Sequence, residues 1–316
     1  METQNRFKPA VVNITSIENE PCRRLQMEIP PLIDTYDIAV NDPKVMYTTE
    51  NIPTKETYDN FYDLASGCKC TDLCTKESGC SCIELNANYE FQRDKTSNTI
   101  DSIQNNYELI KKYSPVYECN KNCLCSAFCG NKLVQFGPRK GLRILTESEL
   151  SKLNKQRIKD LKGSKGAGLM TMEAIKEGNF VCEYAGEVIS KNEADLRFKR
   201  QEEHCLPNYI FCLMEQFGEN KIQTFIDPSI FGNIGRYINH SCQPNCLVIP
   251  IRCQCVIPKL CVFALHDIPE NTEITFDYGD GRLGFVPSND NEIVKKKCYC
   301  HSSLCRKFLP FQKYLY

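Results

Sequence analysis

Cysteine is the residue type whose spacing in this sequence most clearly indicates chemistry. The chain holds 21 cysteines in 316 residues, and many of them are bunched in Cys-x-Cys steps. This spacing is typical of metal ligation rather than of a disulfide framework. Two upstream groups are separated by a polar insertion, and we expect zinc ligands at Cys68, Cys70, Cys74, Cys80, Cys82, Cys119, Cys123, Cys125 and Cys129.

The number of zinc ions in these two groups follows from ligand counting. Structural zinc takes four ligands, so nine thiolates serve either two separate ions with one left over, or three ions that share three bridging thiolates. The short Cys-x-Cys steps favour sharing, and we predict a three-zinc cluster. Metal binding would then supply the folding energy that a small apolar core cannot. A secreted disulfide scaffold and buried cysteines acting as small apolar side chains are the disfavoured alternatives.

A further thiolate group lies near the C-terminal end of the sequence. Cys298, Cys300 and Cys305 supply three ligands, and we expect Cys242 to supply the fourth. Such a zinc would hold the C-terminal segment against the middle of the chain. The competing candidates for the fourth position are Cys246, Cys253 and Cys255. We expect the cysteines outside the zinc groups to be mostly core residues.

The elements that must position these groups are mainly short strands. Ser/Thr-x-x-Glu patterns at Thr146 and Ser190 predict helices near 147–161 and 191–203. The hydrophobic fraction of 41% supports a substantial core, and no apolar run is long enough for a membrane span. We therefore expect a soluble intracellular protein, mainly β with few helices. Strands are predicted at 180–184, 209–213, 224–226 and 260–264, where β-branched and aromatic runs are bounded by turn residues.

Several motifs carry a resemblance to a known family. They are Gly235 to Cys242 (Gly-Arg-Tyr-Ile-Asn-His-Ser-Cys), Phe276-Asp277-Tyr278, and Cys298-Tyr299-Cys300 with Cys305. Together with the upstream cysteines, they resemble the SET-domain protein lysine methyltransferases with pre-SET and post-SET flanks, over residues 67–316. The resemblance implies a fold of small β-sheets flanked by zinc segments, with a pseudoknot that brings Asn239 and His240 beside Tyr278.

The same resemblance suggests how the chain is divided. We expect an N-terminal wrapping segment at 1–60, a pre-SET zinc-cluster region at 61–140 and a SET catalytic domain at 141–280. A linker at 281–297 and a post-SET zinc segment at 298–316 would follow.

Family likeness also assigns a methyl donor and the residues that bind it. Glycines allow the backbone to approach a cofactor closely, and an aromatic ring supplies a stacking face. Tyr299 would close over the adenine of S-adenosylmethionine. The other expected contacts are Lys165, Gly166, Ala167, Gly168, Tyr209, Arg236, Asn239 and His240. Two departures stand out: Ala167 replaces the usual tryptophan, and an insertion around 147–161 precedes this loop.

The resemblance implies two catalytic tyrosines. Tyr278 is expected to orient the substrate amine, with Tyr209 on the opposite wall. Phe276 occupies the position that tunes how many methyl groups fit, and phenylalanine suggests di- or trimethylation. A lone tyrosine at the end of a strand usually packs in the core, so only the Phe276-Asp277-Tyr278 motif singles out Tyr278.

The resemblance implies that the substrate is a lysine in a histone tail, with histone H3 as the first expectation. The partner would then be a nucleosome, and the protein would act in the nucleus. The peptide would lie against an exposed strand edge. Net charge of −1 and the absence of finger spacing argue against a sequence-specific DNA-binding protein. The alternatives left open are an inactive chromatin-binding scaffold and a methyltransferase of non-histone proteins. Carboxylates considered for a basic peptide are Glu183, Glu187, Asp195, Asp227 and Asp277.

Overall fold

The structure of the chain, a computed structural model, is described for most residues between 45 and 310. The described ranges are 45–61, 66–75, 77–85, 90–93, 100–104, 116–126, 129–157, 165–217, 219–253, 255–279 and 296–310. Most of the predicted wrapping segment and most of the predicted linker lie outside them. Within these ranges, no helix is long and apolar enough to cross a membrane.

Two longer helices begin where the capping patterns predict. The helices are α1 (Tyr58–Phe61), α2 (Ser81–Glu84), α3 (Glu147–Arg157) and α4 (Lys191–Glu203), with 3-10 turns at Val134–Phe136 and Ile234–Tyr237. At the start of α3, the Glu149 carboxylate accepts from the Thr146 N–H at 2.9 Å, and Thr146 Oγ1 accepts from the Glu149 N–H at 3.3 Å. At α4, Ser190 Oγ accepts from the Glu193 N–H at 3.2 Å. These contacts satisfy backbone donors that a helix start leaves open.

Strands, most of them short, form the rest of the regular secondary structure in the described chain, as the prediction of a mainly β fold requires. They are β1 (Met46–Tyr47), β2 (Ile52–Pro53), β3 (Glu90–Arg93), β4 (Ile100–Gln104), β5 (Val116–Tyr117), β6 (Leu142–Leu145), β7 (Gly168–Thr171), β8 (Phe180–Tyr184), β9 (Gly186–Ile189), β10 (Phe211–Phe217), β11 (Asn220–Gly232), β12 (Asn239–His240), β13 (Cys246–Arg252), β14 (Lys259–Ala264), β15 (Thr272–Glu273) and β16 (Thr275–Phe276).

The core lies where two of the small sheets meet. One sheet has the order β5-β13-β14-β8, and every residue of β8 and β13 is buried. The other has the order β1-β11-β9-β2 with β10 on β11, and a third small sheet joins β15, β7 and β6. Residues such as Ile226, Leu260 and Val262, each 0% exposed, fill the core between them. This packing fixes the strand ends that carry the site.

A parallel pairing between distant segments closes the centre of the fold. Asn239 pairs with Thr275 and His240 with Phe276, so β12 lies beside β16. Gly235 lies so close to β8 that an added Cβ would come within 2.4 Å of the Glu183 backbone oxygen. The expected juxtaposition of Asn239 and His240 with the Phe276 to Tyr278 segment is thus confirmed.

Some elements differ from the sequence predictions. The polar insertion between Cys82 and Cys119, for which no strand was predicted, contains the antiparallel pair β3 and β4. Strand β10 begins at Phe211 rather than at Tyr209, and β11 is much longer than the predicted run at 224–226. Near the start of the described chain, β1 pairs with β11 and β2 with β9, both in parallel.

Candidate active site

Tyr278 is held from two sides just after β16. Its hydroxyl donates to the Ile238 carbonyl oxygen at 3.0 Å, and its backbone N–H donates to His240 Nδ1 at 3.2 Å. Burial raises the pKa of the Tyr278 hydroxyl above its ordinary value of 10. The phenol therefore keeps its proton at neutral pH. It can donate a hydrogen bond but cannot act as a general base.

An aromatic cluster surrounds the side chain of Phe276. Its ring centroid lies 5.1 Å from that of Tyr278 and 6.1 Å from those of Tyr184 and Phe211. Phe276 is only 2% exposed. The sequence analysis missed Tyr184 and Phe211 as site residues, because an aromatic residue inside a predicted strand is first a core residue. The cluster forms an apolar wall against the Tyr278 ring.

Tyr209 and Arg236 are brought together, as their shared assignment to the cofactor site predicts. The Arg236 guanidinium carbon lies 4.2 Å from the centroid of the Tyr209 ring, within the range of a cation–π contact. Arg236 is buried, and its Nε donates to the Pro228 carbonyl at 3.0 Å. The Tyr184 hydroxyl donates to the Tyr209 carbonyl at 2.5 Å, which ties this pair to the aromatic cluster.

The glycine loop lies against Asn239. The side-chain amide of Asn239 donates to the Ala167 carbonyl at 3.0 Å. A Cβ added at Gly168 would come within 2.8 Å of the Leu150 side chain and 3.0 Å of the Asn239 amide nitrogen, so a larger residue would require these side chains to move. Gly166 has a φ of +82° and open space beside it, a conformation that favours glycine. The loop is thus shaped for close approach by a ligand.

His240 connects the Tyr278 backbone to the thiolates. Its Nδ1 accepts the Tyr278 N–H, and its Nε2 lies 3.2 Å from Cys242 Sγ. Burial lowers the pKa of His240 to about 4, so the ring is neutral at physiological pH. Because Nδ1 is an acceptor, the single ring proton is on Nε2 and faces the sulfur. His240 therefore positions the backbone around Tyr278.

The upstream cysteines form overlapping sets of four. Each set has its four sulfurs within 4.8 Å of one another. The sets are Cys68, Cys74, Cys80 and Cys119; Cys68, Cys82, Cys119 and Cys123; and Cys74, Cys119, Cys125 and Cys129. Three thiols, those of Cys68, Cys74 and Cys119, occur in more than one set, which agrees with the expectation of shared ligands. Cys70 lies outside these sets, with its sulfur 3.7 Å from Ser78 Oγ.

Distances between the sulfurs fit zinc. A zinc–sulfur bond of about 2.3 Å in a regular tetrahedron places the sulfurs about 3.8 Å apart. The Cys68 and Cys74 sulfurs are 3.6 Å apart, and those of Cys74 and Cys119 are 3.7 Å apart. A disulfide would bring sulfurs to about 2 Å. The donor set and its spacing therefore suit zinc and exclude disulfides among these cysteines.

The downstream set joins the post-SET segment to the centre of the fold. Cys242, Cys298, Cys300 and Cys305 have their sulfurs within 4.8 Å of one another. Of the candidates for the fourth position, Cys246, Cys253 and Cys255 do not belong to this set. In the sequence, Tyr299 stands between Cys298 and Cys300, and it is half-buried. Its stacking on an adenine stays a prediction.

Two polar contacts reinforce the same junction. The Arg306 guanidinium contacts both Asp277 carboxylate oxygens, at 2.7 and 2.8 Å. The Gln243 amide oxygen accepts from Ser303 Oγ at 2.9 Å and from the Leu304 N–H at 3.3 Å. The residue next to Tyr278 is thus bonded directly to the post-SET segment.

The five carboxylates considered for a basic peptide all have cationic partners within the chain. Glu183 contacts Lys259 at 2.7 Å, and Asp277 contacts Arg306 at 2.7 Å. The other pairs are Glu187 with Arg197, Asp227 with Arg197, and Asp195 with Lys191. Glu183 and Asp227 are also buried. Burial makes Glu183 and Asp227 inaccessible to a peptide, and a role for Glu187, Asp195 and Asp277 in an acidic groove stays a prediction.

The cysteines outside the zinc sets follow the core expectation only in part. Cys182, Cys246, Cys253 and Cys261 are buried, whereas Cys205 is exposed at the end of α4. Its backbone has a φ of 53°, in the left-handed region.

Comparison with known proteins agrees with this architecture. The SET domain profile matches residues 166–279, and the Pre-SET motif profile matches residues 23–132. Histone-lysine N-methyltransferase SETMAR of Rattus norvegicus is 37% identical over 259 residues, which cover 79% of this chain and 74% of that protein. The crystal structure of the methyltransferase domain of human SETMAR matches with a TM-score of 0.65 and 33% identity, covering 84% of this chain and 89% of that one. Arabidopsis thaliana SUVH6 in complex with SAM matches at 0.60 and 25%, covering 84% and 50%.

The fold and the cysteine clusters define a SET-domain protein with a pre-SET region and a zinc-binding C-terminal segment. The chain belongs to the SET-domain histone-lysine N-methyltransferases. The resemblance predicted from the motifs is confirmed, and so is the mainly β fold class.

Proposed function

We propose that the protein transfers a methyl group from S-adenosylmethionine to the side-chain amine of a lysine in a histone tail, with histone H3 as the first substrate to test. The observation that carries the proposal is the Tyr278 hydroxyl, fixed beside an aromatic wall and next to the Asn239–His240 strand. This arrangement suits a lysine amine that must be desolvated and aligned. A histone substrate would also mean that the protein acts in the nucleus.

Support for the donor comes from the glycine loop and the residues around it. Gly166 has a positive φ and open space beside it, which allow a ligand to approach the backbone closely, and Gly168 packs against Asn239. Asn239 contacts this loop through the Ala167 carbonyl, and the family resemblance assigns Arg236 and His240 to the same ligand. SUVH6, one of the similar structures, holds SAM. When bound, S-adenosylmethionine supplies an electrophilic methyl group on a sulfonium.

The substrate lysine must react as the neutral amine. Its ordinary pKa is about 10.4, and lowering that value to near 7 corresponds to roughly 4–5 kcal/mol. Apolar walls of the kind formed by Phe276 and Tyr184 disfavour the ammonium form by desolvation, and a nearby sulfonium adds like-charge repulsion. Tyr278 keeps its proton, so its role is to orient the amine. Tyr209, held by Arg236, would support it from the opposite wall.

A histone tail would bind as an added strand. Strand β10 pairs with β11, and the described strands include no partner for its other edge. An extended peptide could add to this edge through backbone hydrogen bonds and place its lysine at the aromatic cluster. Phe276 leaves no hydroxyl there to restrict the amine, so we expect di- or trimethylated product.

We also propose three zinc ions in the pre-SET cluster and one in the post-SET site. The three overlapping sets of thiols and the single downstream set support these numbers. We expect Cys70 to complete the upstream cluster as its ninth ligand. No direct sequence-specific DNA binding is expected.

The test is transfer of labelled methyl from S-adenosylmethionine to recombinant nucleosomes and H3 peptides. Tyr278→Phe should reduce the rate at least 100-fold, because orientation effects in catalysis are commonly of this size. Tyr58→Phe is the matched control, since Tyr58 is 55% exposed, and it should retain wild-type activity. Mass spectrometry of the product would name the lysine.

The outcomes separate the proposal from its alternatives. Zinc-loaded, folded wild type that neither binds cofactor nor transfers methyl would instead be the chromatin-binding scaffold. Transfer to other nuclear proteins but not to histones would favour the non-histone methyltransferase.

A further inference from the structure

Glu273, on β15, has a carboxylate that connects two separate parts of the predicted cofactor site. Its Oε2 lies 2.8 Å from Lys165 Nζ, at the start of the glycine loop. Its Oε1 accepts from the Asn239 side-chain amide at 3.0 Å. No motif in the sequence singled out this residue. Lys165 and Asn239, in contrast, were both expected to contact the cofactor.

The contacts fix the orientation of the Asn239 side chain. Its amide nitrogen carries two protons, and these go to the Ala167 carbonyl and to Glu273 Oε1, both at 3.0 Å. Because both neighbours are acceptors, a flipped amide would place its oxygen against two oxygens. Asn239 is therefore held in one orientation. Its amide oxygen is then available as an acceptor for a donor group on a ligand.

The Glu273 carboxylate is shielded from solvent, unlike a surface charge. The side chains of Glu273 and Lys165 are 12% and 11% exposed. Charged hydrogen bonds that are this well shielded contribute more than exposed ion pairs do. The Glu273 backbone is also held, since its carbonyl accepts from the Asn245 amide at 2.8 Å and the residue pairs with Met170 on β7. The carboxylate therefore acts from a rigid support.

We propose that Glu273 is a positioning residue for the cofactor, which holds Lys165 and Asn239 together as one preorganised clamp. The inference rests on the proposed function, because it takes S-adenosylmethionine as the ligand of Lys165 and Asn239. Glu273 would not touch the reacting atoms. It would act by orienting the Asn239 amide and by keeping the Lys165 ammonium beside the glycine loop.

The test measures binding without turnover. Zinc-loaded protein is titrated with S-adenosylhomocysteine by calorimetry, and KM for S-adenosylmethionine, KM for peptide and kcat are measured alongside. Glu273→Gln should raise Kd for S-adenosylhomocysteine about ten-fold or more, since loss of a hydrogen bond to a charged group is typically of this size. KM for S-adenosylmethionine should rise in parallel. KM for peptide, and kcat at saturating cofactor, should stay within about two-fold.

A matched control and a double variant separate positioning from general destabilisation. Asp267→Asn disrupts a comparable lysine–carboxylate pair whose side chains are 75% and 60% exposed, and it should leave Kd unchanged. In an Asn239→Ala background, Glu273→Gln should have a smaller effect than in wild type, because the part that acts through Asn239 is already lost and only the contact with Lys165 remains. Lys165→Met, which leaves β15 intact, should also raise Kd and provides a test if Glu273→Gln does not fold.

Two results would overturn the inference. One is a Glu273→Gln protein that binds S-adenosylhomocysteine as wild type does; the other is a pair of effects that add fully in the double variant. If Glu273→Gln fails to fold, wild-type affinity in Lys165→Met overturns it instead. Wild type that binds no S-adenosylhomocysteine would overturn the proposed function, a result distinct from all of these.

Discussion

The Tyr278 hydroxyl shows what one side chain contributes to this site. It is anchored to the Ile238 carbonyl and surrounded by aromatic rings, and burial raises its pKa. The phenol therefore stays protonated throughout the range in which a lysine amine becomes neutral. Its contribution is the direction of a hydrogen bond and the shape of a wall, and both are independent of pH.

A pH profile follows from that raised pKa. Between pH 7 and pH 10 the rate should rise as the lysine loses its proton and then level off, because the hydroxyl of Tyr278 begins to ionise only above its ordinary pKa of 10. Initial rates on an H3 peptide at saturating cofactor would show this. A descending limb below pH 10 that disappears in Tyr278→Phe would contradict it.

Phe276 is the residue on which product number should depend. Phe276→Tyr adds a hydroxyl to the aromatic cluster, where the ring centroids are 5.1 to 6.1 Å apart. The added group, with any water it holds, would reduce the room for a methylated amine, so product should shift towards monomethyl-lysine. Mass spectrometry of peptide after extended reaction measures the distribution. Only monomethyl product from wild type, or an unchanged distribution in the variant, would refute this assignment.

Helix α3 was predicted from its capping pattern, but the sequence identified it only as an insertion and did not indicate its role. Leu150 on this helix is 3% exposed and packs with Leu145 and Met170, next to Gly168 of the glycine loop. The helix thus braces β7, the strand that follows the loop. An element that could have been a surface extension instead supports the glycine loop, which we propose as part of the cofactor site.

Removing the Leu150 side chain should weaken the fold at this point. We expect Leu150→Ala to lower the free energy of unfolding by about 2–4 kcal/mol, the usual range for a buried leucine. Denaturant melts of zinc-loaded protein would measure the loss. Leu196→Ala, at a site 62% exposed on α4, serves as the control and should change stability by less than about 0.5 kcal/mol. Equal effects in the two variants would argue against a bracing role for α3.

The post-SET segment is a second element held by few contacts. Arg306→Met removes the ion pair with Asp277, whose side chains are 30% and 18% exposed. A partly exposed pair contributes modestly, about 1 kcal/mol, so the segment should stay zinc-bound but open more often. Faster limited proteolysis after residue 296 and a several-fold higher KM for S-adenosylmethionine are expected.

Arg143→Met provides the matched control for this prediction. It disrupts an arginine–glutamate pair that is 53% and 40% exposed and distant in sequence from the post-SET thiols. Its proteolysis pattern should match wild type. If Arg306→Met also behaves as wild type in both assays, the zinc alone holds the segment.

At the scale of the whole molecule, the two kinds of thiol cluster differ in exposure. Most of the upstream cysteines are 0–4% exposed, whereas all four downstream cysteines are half-buried. A chelator should therefore remove the downstream zinc first, with loss of activity but little loss of secondary structure. The upstream zinc should leave only as the protein unfolds.

Zinc release followed together with circular dichroism would test this order. Cys298→Ser gives an independent check, because it should lower the zinc content by one ion per chain and leave the strand signal unchanged. Simultaneous loss of all zinc, activity and strand signal would show that the sites are not independent.

The division between what the sequence predicted and what it did not has a physical cause. Asn239, His240 and Tyr278 belong to the motifs that carry the family resemblance, so the resemblance could suggest roles for them before the fold was known. Glu273 could not be assigned in this way, because its partners Lys165 and Asn239 are distant in sequence and a lone glutamate is most often solvated. Tyr184 was hidden for a related reason: its strand was predicted correctly, but which residues its ring contacts depends on tertiary packing.

The parallel pairing of β12 with β16, together with that of β1 with β11, constrains how the protein can fold. During folding, Met46 has to pair with Phe231, and Asn239 has to pair with Thr275. Such non-local contacts require closure of long loops before they stabilise anything, which makes folding slow. On a ribosome, the segment around Asn239 would emerge before its partner strand and before the last zinc ligands. The site is thus completed only after the C-terminal part of the chain has been synthesised, and a nascent chain cannot bind its cofactor early.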